Sequence, residues 1–305
     1  MSCPDLSGAR TVFTRAVSQL PPVTCCVDDR YVRPLTVLME SAAAVPGHPG
    51  LRMLVIHKNL AGRARQLLLR HGDRLGIEVS FRPAARQVTG PVAGWVSSAV
   101  YLRLAIGETA GDQGTVLYLD ADILVRGDLR ALLATRLDGM PLAAVRDPQN
   151  PVIGAGIALP AWASLGLPAG REYFNSGVML LDLPECERRG LFGAARQFLA
   201  EHPDKMRLWD QDALNVAAAD KWIRLDRRWN TFGLSALAAR PGYRHDDAEP
   251  YSPLAMLLGD EPEAAILHFA GPDKPWREDY PAGWLKHTYQ QQLMRVLRAE
   301  ADGRW

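Results

Sequence analysis

The stretch from Gly114 to Arg126 constrains the fold more than any other part of the chain. Apolar residues lead into Asp120 and resume after Asp122, a pattern typical of a buried parallel strand. Side chains two positions apart in an extended backbone point the same way, so the two carboxylates would converge. Open α/β sheets place their ligands at the carboxyl ends of strands. The stretch therefore predicts either a pair of ligands for one cation or a strand end whose acids cap the next turn.

Strand patterns alternate with helical patterns along the chain, and this alternation predicts parallel βαβ units with right-handed crossovers. The predicted strands cover 23–27, 51–56, 77–81, 116–125, 142–145, 223–225 and 266–269. The predicted helices follow 28–31 and cover 61–71, 95–106, a short segment near Leu132, 186–200, a helix that opens at 209–215, and 284–297. A polar turn at 173–177 is predicted to run into a buried strand that ends at Leu183. The Gly- and Pro-rich segment 148–170 is predicted to be a loop at the mouth of a substrate site.

Composition excludes several classes of protein. The 305 residues carry 35 basic and 34 acidic side chains, a net charge of +1. A nearly neutral chain lacks the positive electrostatic potential that attracts a polyanion, so no nucleic-acid partner is expected. An apolar fraction of 48% and a charged fraction of 23% are ordinary for a globular protein. The sequence shows no clear membrane segment and no secretory pattern, and it predicts a cytoplasmic location. Its four cysteines lack metal-ligand spacing and are expected to be reduced.

Several polar residues have two readings each. Asp28 or Asp29 caps the following helix, or an acid at this turn accepts a hydrogen bond from a nucleotide base or ribose. Arg103 is either a solvated helix charge or a partner for phosphate or carboxylate. The acids at 209–212 either complement a helix dipole or face the site. His268 on its apolar strand is either a core histidine or a ligand. Lys274, on a turn that prolines hold rigid, is a plausible clamp for phosphate.

Five blocks in order resemble glycosyltransferase family 8, the retaining sugar-nucleotide-dependent enzymes of GT-A fold related to bacterial lipooligosaccharide galactosyltransferases and glycogenin. The resemblance covers roughly residues 23–285. The blocks are Val27-Asp-Asp-Arg-Tyr31, Leu117-Tyr-Leu-Asp-Ala-Asp122, Tyr173-Phe-Asn-Ser-Gly177, Trp209-Asp-Gln-Asp212 and His268-Phe-Ala-Gly-Pro-Asp-Lys-Pro-Trp276.

The resemblance implies an α/β fold of GT-A type. Its Rossmann-like central sheet would be mixed and mainly parallel, flanked by helices, with a small C-terminal extension. Residues 1–20 would be an irregular leader and 21–240 the nucleotide-sugar-binding catalytic core. Residues 241–305 would complete the metal and diphosphate site within the same domain.

The resemblance also implies roles for particular residues. Asp120, Asp122 and His268 would hold one divalent metal, and the added imidazole favours Mn²⁺ over Mg²⁺. Lys274 and the backbone amide of Gly271 would bind the donor diphosphate.

The remaining donor contacts are implied in the same way. Asp28 would face the base or ribose, and Arg30 departs from the small amide residue common at its position. The other implied donor-binding residues are Cys26 through its backbone, Tyr31, Ala121, Arg103, Asp147 and Asn175, and the catalytic candidates are Asp210, Gln211 and Asp212.

The function that the resemblance implies is metal-dependent, retaining transfer of a hexosyl group from a UDP-sugar to an acceptor hydroxyl on a saccharide, a peptide or a small natural product. Retention needs either a nucleophile on the opposite face of the sugar or same-face attack by the acceptor, and we favour same-face attack with Asp210 and Gln211 positioning the sugar. A sugar-nucleotide pyrophosphorylase is an alternative, but it would need a Gly-rich phosphate loop that residues 23–31 lack. The other alternative is a sugar-nucleotide-binding protein without turnover. The sequence leaves the transferred sugar and the oligomeric state open.

Overall fold

The computed structural model describes residues 20–48, 50–91 and 98–303. The predicted leader lies outside this part of the chain except for Leu20, and so does the predicted start of a helix at Trp95. Within the described residues, no helix is long and apolar enough to cross a membrane. Cys25, Cys26 and Cys186 are free thiols.

A seven-stranded sheet forms the centre of the molecule, with strand order β3-β2-β1-β4-β7-β6-β8. Its strands are β1 (Val23–Cys26), β2 (Arg52–His57), β3 (Glu78–Pro83), β4 (Thr115–Leu119), β6 (Leu142–Arg146), β7 (Phe174–Asp182) and β8 (Ile223–Arg224). Only β7 runs antiparallel to its neighbours, β4 and β6, and the other four pairings are parallel. The predicted fold class, an α/β protein with a mixed, mainly parallel sheet, is confirmed.

A second, three-stranded sheet lies beside the first, with order β5-β10-β9. It contains β5 (Ile123–Val125), β9 (Thr231–Phe232) and β10 (Ile266–His268). Strand β10 pairs antiparallel with β5 and parallel with β9. The C-terminal segment is thus hydrogen-bonded to the core through β10, while the division at residue 240 stays a prediction.

Helices cover the faces of the central sheet. They are α1 (Val32–Ala43), α2 (Gly62–Leu75), α3 (Ile106–Ala110), α4 (Leu129–Leu133), α5 (Leu183–Arg188), α6 (Leu191–Glu201), α7 (Asp210–Ala218), α8 (Leu234–Ala238), α9 (Leu254–Asp260) and α10 (Trp284–Ala301). Leu117 and Leu119 of β4 pack into the apolar cluster that includes α1 and α2, whereas Val116 and Tyr118 pack into the cluster that includes α6 and α7. Burial on both faces explains why β4 reads as a continuous apolar run.

The prediction of one strand through the stretch 114–126 is wrong. Strand β4 ends at Leu119, residues 121 and 122 form a bend, and β5 then joins the other sheet. The bend is held on both sides, because the amide of Asp120 donates to Gly177 O at 2.8 Å and the amide of Phe269 donates to Asp122 O at 3.0 Å. The two carboxylates therefore converge across a bend and not along one extended strand.

Three other local predictions need correction. Residues 175–177 lie within β7 and not in a turn. The helix predicted over 186–200 is two helices, α5 and α6, separated at Gly190, whose φ of 66° is left-handed. The described part of the helix predicted over 95–106 is a 3₁₀ helix, Ser98–Ala105, that leads into α3. Segment 148–170 contains no helix or long strand, only an isolated bridge from Val152 to Glu172.

Helix α10 supports the turn that carries Lys274. Its buried Tyr289 packs against Phe269 and Trp276, with ring centroids 5.6 and 5.5 Å apart. Trp276 in turn packs edge-on against Tyr31 with a centroid distance of 6.0 Å. Aromatic packing thus connects the end of the chain to the first strand and turn.

Candidate functional site

A cleft of about 270 Å³ opens where β1, β4 and β10 end. It brings together thirteen of the sixteen site residues predicted from the sequence. These are Cys26, Tyr31, Arg103, Asp120, Ala121, Asp122, Asp147, Asn175, Asp210, Gln211, His268, Gly271 and Lys274. Asp28, Arg30 and Asp212 do not line it.

At one end of the cleft, two carboxylates and an imidazole converge. Asp120, Asp122 and His268 each offer a ligand atom, and these atoms lie within 4.8 Å of one another. His268 Nε2 is 3.4 Å from Asp122 Oδ1 and 3.9 Å from Asp120 Oδ2. Two carboxylates with one imidazole suit a hard or borderline divalent cation such as Mg²⁺ or Mn²⁺. The donor set therefore fits one divalent metal ion.

Each of these carboxylates also contacts a buried cation. Arg103 Nη2 donates to Asp120 Oδ1 at 2.8 Å, and the same oxygen accepts from Tyr118 Oη at 2.6 Å. Lys274 donates to Asp122 Oδ2 and to Phe269 O. Burial alone would raise the pKa of Asp122, but the Lys274 ammonium outweighs it and holds that pKa well below its usual range. Asp122 is therefore ionised.

At the other end, a buried amide network surrounds Asp147. Gln211 Nε2 donates to Asp147 Oδ2 at 3.1 Å, and Asn175 Nδ2 donates to Gln211 Oε1 at 2.8 Å. The other carboxylate oxygen accepts from the backbone amides of Gln149 and Asn150, both at 2.9 Å. These hydrogen bonds hold polar side chains of the cleft in fixed positions. Fixed donors and acceptors of this kind are suited to bind hydroxyl groups such as those of a sugar.

Asp210 lies between the two ends. Its Oδ2 is 2.8 Å from Arg103 Nε, but that N–H points toward Val100 O, and Oδ2 has no hydrogen-bond partner among the described residues. Burial raises the pKa of Asp210 to about 7, with Arg103 opposing and Asp120 adding to the rise. A buried carboxylate oxygen without a donor is suited to accept from a bound hydroxyl.

Asp212 is the predicted catalytic candidate that the structure keeps out of the cleft. Two residues along a helix rotate the side chain by about 200°, so Asp212 points away from Asp210. It is fully buried and accepts from Tyr173 Oη at 2.6 Å and from the backbone amides of Arg207 and Leu208 at 2.7 and 2.8 Å. Its contacts hold the start of α7 in place.

Asp28 and Arg30 pair with each other. Asp28 caps a 3₁₀ turn by accepting from the backbone amide of Arg30 at 3.0 Å, and the two side chains lie 3.3 Å apart. Asp28 thus caps this short turn and not helix α1, which has no side-chain cap. The contact of Asp28 to a base or ribose stays a prediction.

Sequence reasoning missed Asn230, which lies 2.9 Å from His268 Nδ1. It also placed Gly177 only in a predicted polar turn. A Cβ on Gly177 would lie 2.3 Å from His268 Cε1 and 2.9 Å from Asp120 Oδ2. The absence of a side chain at Gly177 makes room for the metal-ligand candidates themselves.

A family model identifies the chain. The model described as glycosyl transferase family 8 matches residues 22–280. The chain belongs to glycosyl transferase family 8. It is therefore a glycosyltransferase, as the sequence analysis predicts.

Curated relatives agree with this assignment. General stress protein A of Bacillus subtilis (strain 168) is 25% identical over 290 residues, which cover 90% of this chain and 92% of the relative. Lipopolysaccharide 1,2-glucosyltransferase of Escherichia coli (strain K12) is 29% identical over 183 residues, 60% of this chain and 50% of the relative. Lipopolysaccharide 1,3-galactosyltransferase of Salmonella typhimurium is 28% identical over 218 residues, 68% of this chain and 55% of the relative. The matched part of the chain thus spans about half the length of the two lipopolysaccharide enzymes.

The crystal structure of galactosyltransferase LgtC in complex with donor and acceptor sugar analogs is a close structural neighbour. It has a TM-score of 0.70 and 26% identity, and the match covers 90% of this chain and 95% of LgtC. The GT-A fold of the chain follows from this likeness and from the sheet topology.

The position of Gly177 generates a prediction. Gly177→Ala should displace His268 or Asp120 and lower the affinity for Mn²⁺ at least about tenfold, because both are candidate ligands. Titration of free Mn²⁺ by electron paramagnetic resonance measures this affinity. Gly193→Ala on α6, where a Cβ meets nothing within 4 Å, is the matched control. Unchanged Mn²⁺ affinity in a folded Gly177→Ala protein would contradict the geometry.

Proposed function

We propose that this protein is a metal-dependent, retaining hexosyltransferase that moves a hexosyl group from a UDP-sugar to an acceptor hydroxyl. The observation that carries the proposal is the convergence of Asp120, Asp122 and His268 beside Lys274, in the same cleft as the Asp147 amide network. The relatives named for glucosyl and galactosyl transfer to lipopolysaccharide support a hexose donor. The neighbour solved with donor and acceptor sugar analogs supports a site for both substrates.

Asp120, Asp122 and His268 would hold the metal, Mn²⁺ in preference to Mg²⁺ because imidazole is a softer ligand than carboxylate. When bound, the ion supplies Lewis-acid stabilisation of the negative charge that develops on the leaving diphosphate. Lys274 and the backbone amide of Gly271 would contribute positive charge and a hydrogen bond to the same diphosphate.

Lys274 has two roles that compete. Its ammonium donates to Asp122 Oδ2, so it neutralises a metal-ligand candidate. With Asp122 holding a metal, Lys274 would no longer be needed to balance its charge and could donate to the diphosphate. The lysine thus keeps a buried carboxylate paired until metal and donor arrive.

The transferred sugar would lie among Arg103, Asp147, Asn175, Asp210 and Gln211. Breaking its anomeric bond leaves positive character on the sugar, which the carboxylate of Asp210 would stabilise. Asp212 is excluded as the nucleophile by its position outside the cleft. Gln211, an amide, is a poor nucleophile. Asp210, a carboxylate in the cleft, remains chemically capable of acting as a nucleophile. We favour same-face attack by the acceptor hydroxyl, with Asp210 and Gln211 positioning the sugar.

The acceptor would enter past segment 148–170, from which Gln149, Asn150 and the exposed Ile157 line the cleft. These residues offer amides and one apolar side chain, which are compatible with a hydroxyl on a saccharide, a peptide or a small natural product. The acceptor class is therefore the least constrained part of the proposal.

A donor panel tests the proposal directly. UDP-glucose, UDP-galactose and UDP-N-acetylglucosamine are incubated with enzyme and Mn²⁺, and UDP release is measured without acceptor. We expect release from at least one donor, and a loss of about 10²- to 10³-fold in Asp120→Asn and Asp122→Asn. Asp204→Asn, at an exposed acid that does not line the cleft, should match the wild type. Full release by both variants, or release that EDTA does not reduce, would overturn the proposal.

The raised pKa of Asp210 predicts a pH profile. With a pKa of about 7, the carboxyl is protonated and unable to stabilise positive charge at lower pH. The rate of UDP release should rise about tenfold per pH unit below that pKa and level off above it. Asp210→Asn should release UDP slowly at every pH and lack this rise with pH, whereas Asp204→Asn should keep the rise. If Asp210→Asn shows the same rise, a group other than Asp210 causes it.

The proposal that Lys274 pairs with either Asp122 or the diphosphate predicts opposite effects on the affinities for Mn²⁺ and for UDP. Lys274→Met frees Asp122, so Mn²⁺ should bind more tightly in the absence of nucleotide. The same variant should bind UDP more weakly in saturating Mn²⁺, because the charge on the diphosphate is lost. Calorimetric titration measures both, with the exposed Lys221→Met as control. Weaker binding of both ligands would show that Lys274 does not compete with the metal.

A further inference from the structure

Asn230 is a buried amide that connects the two ends of the cleft. It lies between the 3₁₀ turn Arg227–Trp229 and β9, is 2% exposed, and its backbone amide donates to Arg227 O at 3.0 Å. Its side chain lies 2.9 Å from His268 Nδ1 on one side and 2.8 Å from Asn175 Oδ1 on the other. Asn175 belongs to the Asp147 network, so Asn230 touches both the metal end and the sugar end.

Backbone amides of β7 determine which way these side-chain amides point. A backbone N–H can only donate, so the atoms that accept from Gly177 N and from Ser176 N, each at 3.0 Å, must be oxygens. These atoms are Asn175 Oδ1 and Gln211 Oε1. Asn175 Nδ2 then faces Gln211 Oε1 at 2.8 Å. The orientation of Asn175 is therefore determined from both of its ends.

The direction of every further hydrogen bond follows from this orientation. Because Asn175 presents Oδ1, Asn230 must present Nδ2 to it. The other end of the Asn230 amide is then Oδ1, which can only accept. His268 Nδ1 must therefore carry a hydrogen, and in the neutral ring this leaves Nε2 with a free lone pair. That nitrogen is the one that faces Asp120 and Asp122.

We propose that Asn230 is a positioning residue that holds His268 in the Nδ1–H tautomer, with Nε2 ready to ligate the metal. The metal part of this inference rests on the proposed function, but the tautomer does not. The series of hydrogen bonds from β7 through Asn175 and Asn230 to His268 also connects the candidate metal ligands with the Asp147 network. Loss of Asn230 frees the ring to adopt the Nε2–H tautomer, whose hydrogen occupies the ligand position.

Metal affinity tests the proposal without turnover. Asn230→Leu keeps the side-chain size and removes the acceptor, and Mn²⁺ binding without nucleotide should weaken about 10- to 100-fold. Asn230→Asp retains an acceptor for Nδ1–H and should bind Mn²⁺ more tightly than Asn230→Leu. Asn215→Leu is the matched control, since this buried amide bonds the backbone groups of Phe174 and Gln211. Its Mn²⁺ affinity should equal that of the wild type, and thermal unfolding checks that each variant is folded.

The tautomer is measured on the metal-free protein. Long-range ¹H–¹⁵N correlation spectra at pH 8, with His268 assigned from a His268→Gln variant, should show Nδ1 protonated in the wild type and Nε2 protonated in Asn230→Leu. An Nε2–H tautomer in the wild type, or equal Mn²⁺ affinity in a folded Asn230→Leu protein, would overturn the proposal. A wild type that binds no Mn²⁺ but shows the Nδ1–H tautomer would contradict the proposed function and leave Asn230 as the residue that orients His268. If Asn230→Leu fails to fold, the wild-type tautomer and Asn230→Asp decide.

Discussion

The bend at Asp120–Asp122 is the constraint on which the rest of the site depends. It passes the chain from the seven-stranded sheet to the three-stranded sheet, and each side is held by a backbone hydrogen bond, to Gly177 O and from Phe269 N. Because β10 pairs with β5 immediately after the bend, His268 is brought opposite Ile123, next to Asp122. Two sheets that meet at one bend thus bring together candidate metal ligands from distant parts of the sequence.

Buried cationic side chains balance the charge of the carboxylates at and beside this bend. Arg103 contacts Asp120 and Asp210, and Lys274 contacts Asp122. A buried carboxylate without such a partner is costly, so the cations stabilise the bend in the metal-free protein. A divalent ion would alter this balance and let the same cations act on substrate. The arrangement that keeps the site folded is therefore also the arrangement that would respond to metal and donor.

Sequence patterns located most of this site, and their failures have physical reasons. The residue pattern alone marked Asp120 and Asp122 as a possible ligand pair and Lys274 as a possible phosphate clamp, whereas the metal role of His268 came from the family resemblance, because one histidine on an apolar strand is also typical of a core residue. Asp212 resembled Asp210 in the sequence, but helix rotation turns it into the interior. The bend between β4 and β5 was missed because both strands are buried and read as one apolar run. The strand alternation predicted the sheet class, but not that β7 would run antiparallel beside β4.

Asn230 escaped prediction for a different reason. Its function depends on the direction of hydrogen bonds that begin at the backbone of β7, and no local pattern around residue 230 encodes that direction. A single amide has a donor end and an acceptor end, so a chain of buried amides transmits orientation from one to the next. Backbone donors at Ser176 and Gly177 thereby determine which nitrogen of His268 faces the carboxylates. The strand that carries Asn175, the proposed sugar-binding amide, thus also orients the candidate metal ligand His268, and one element organises both groups of residues.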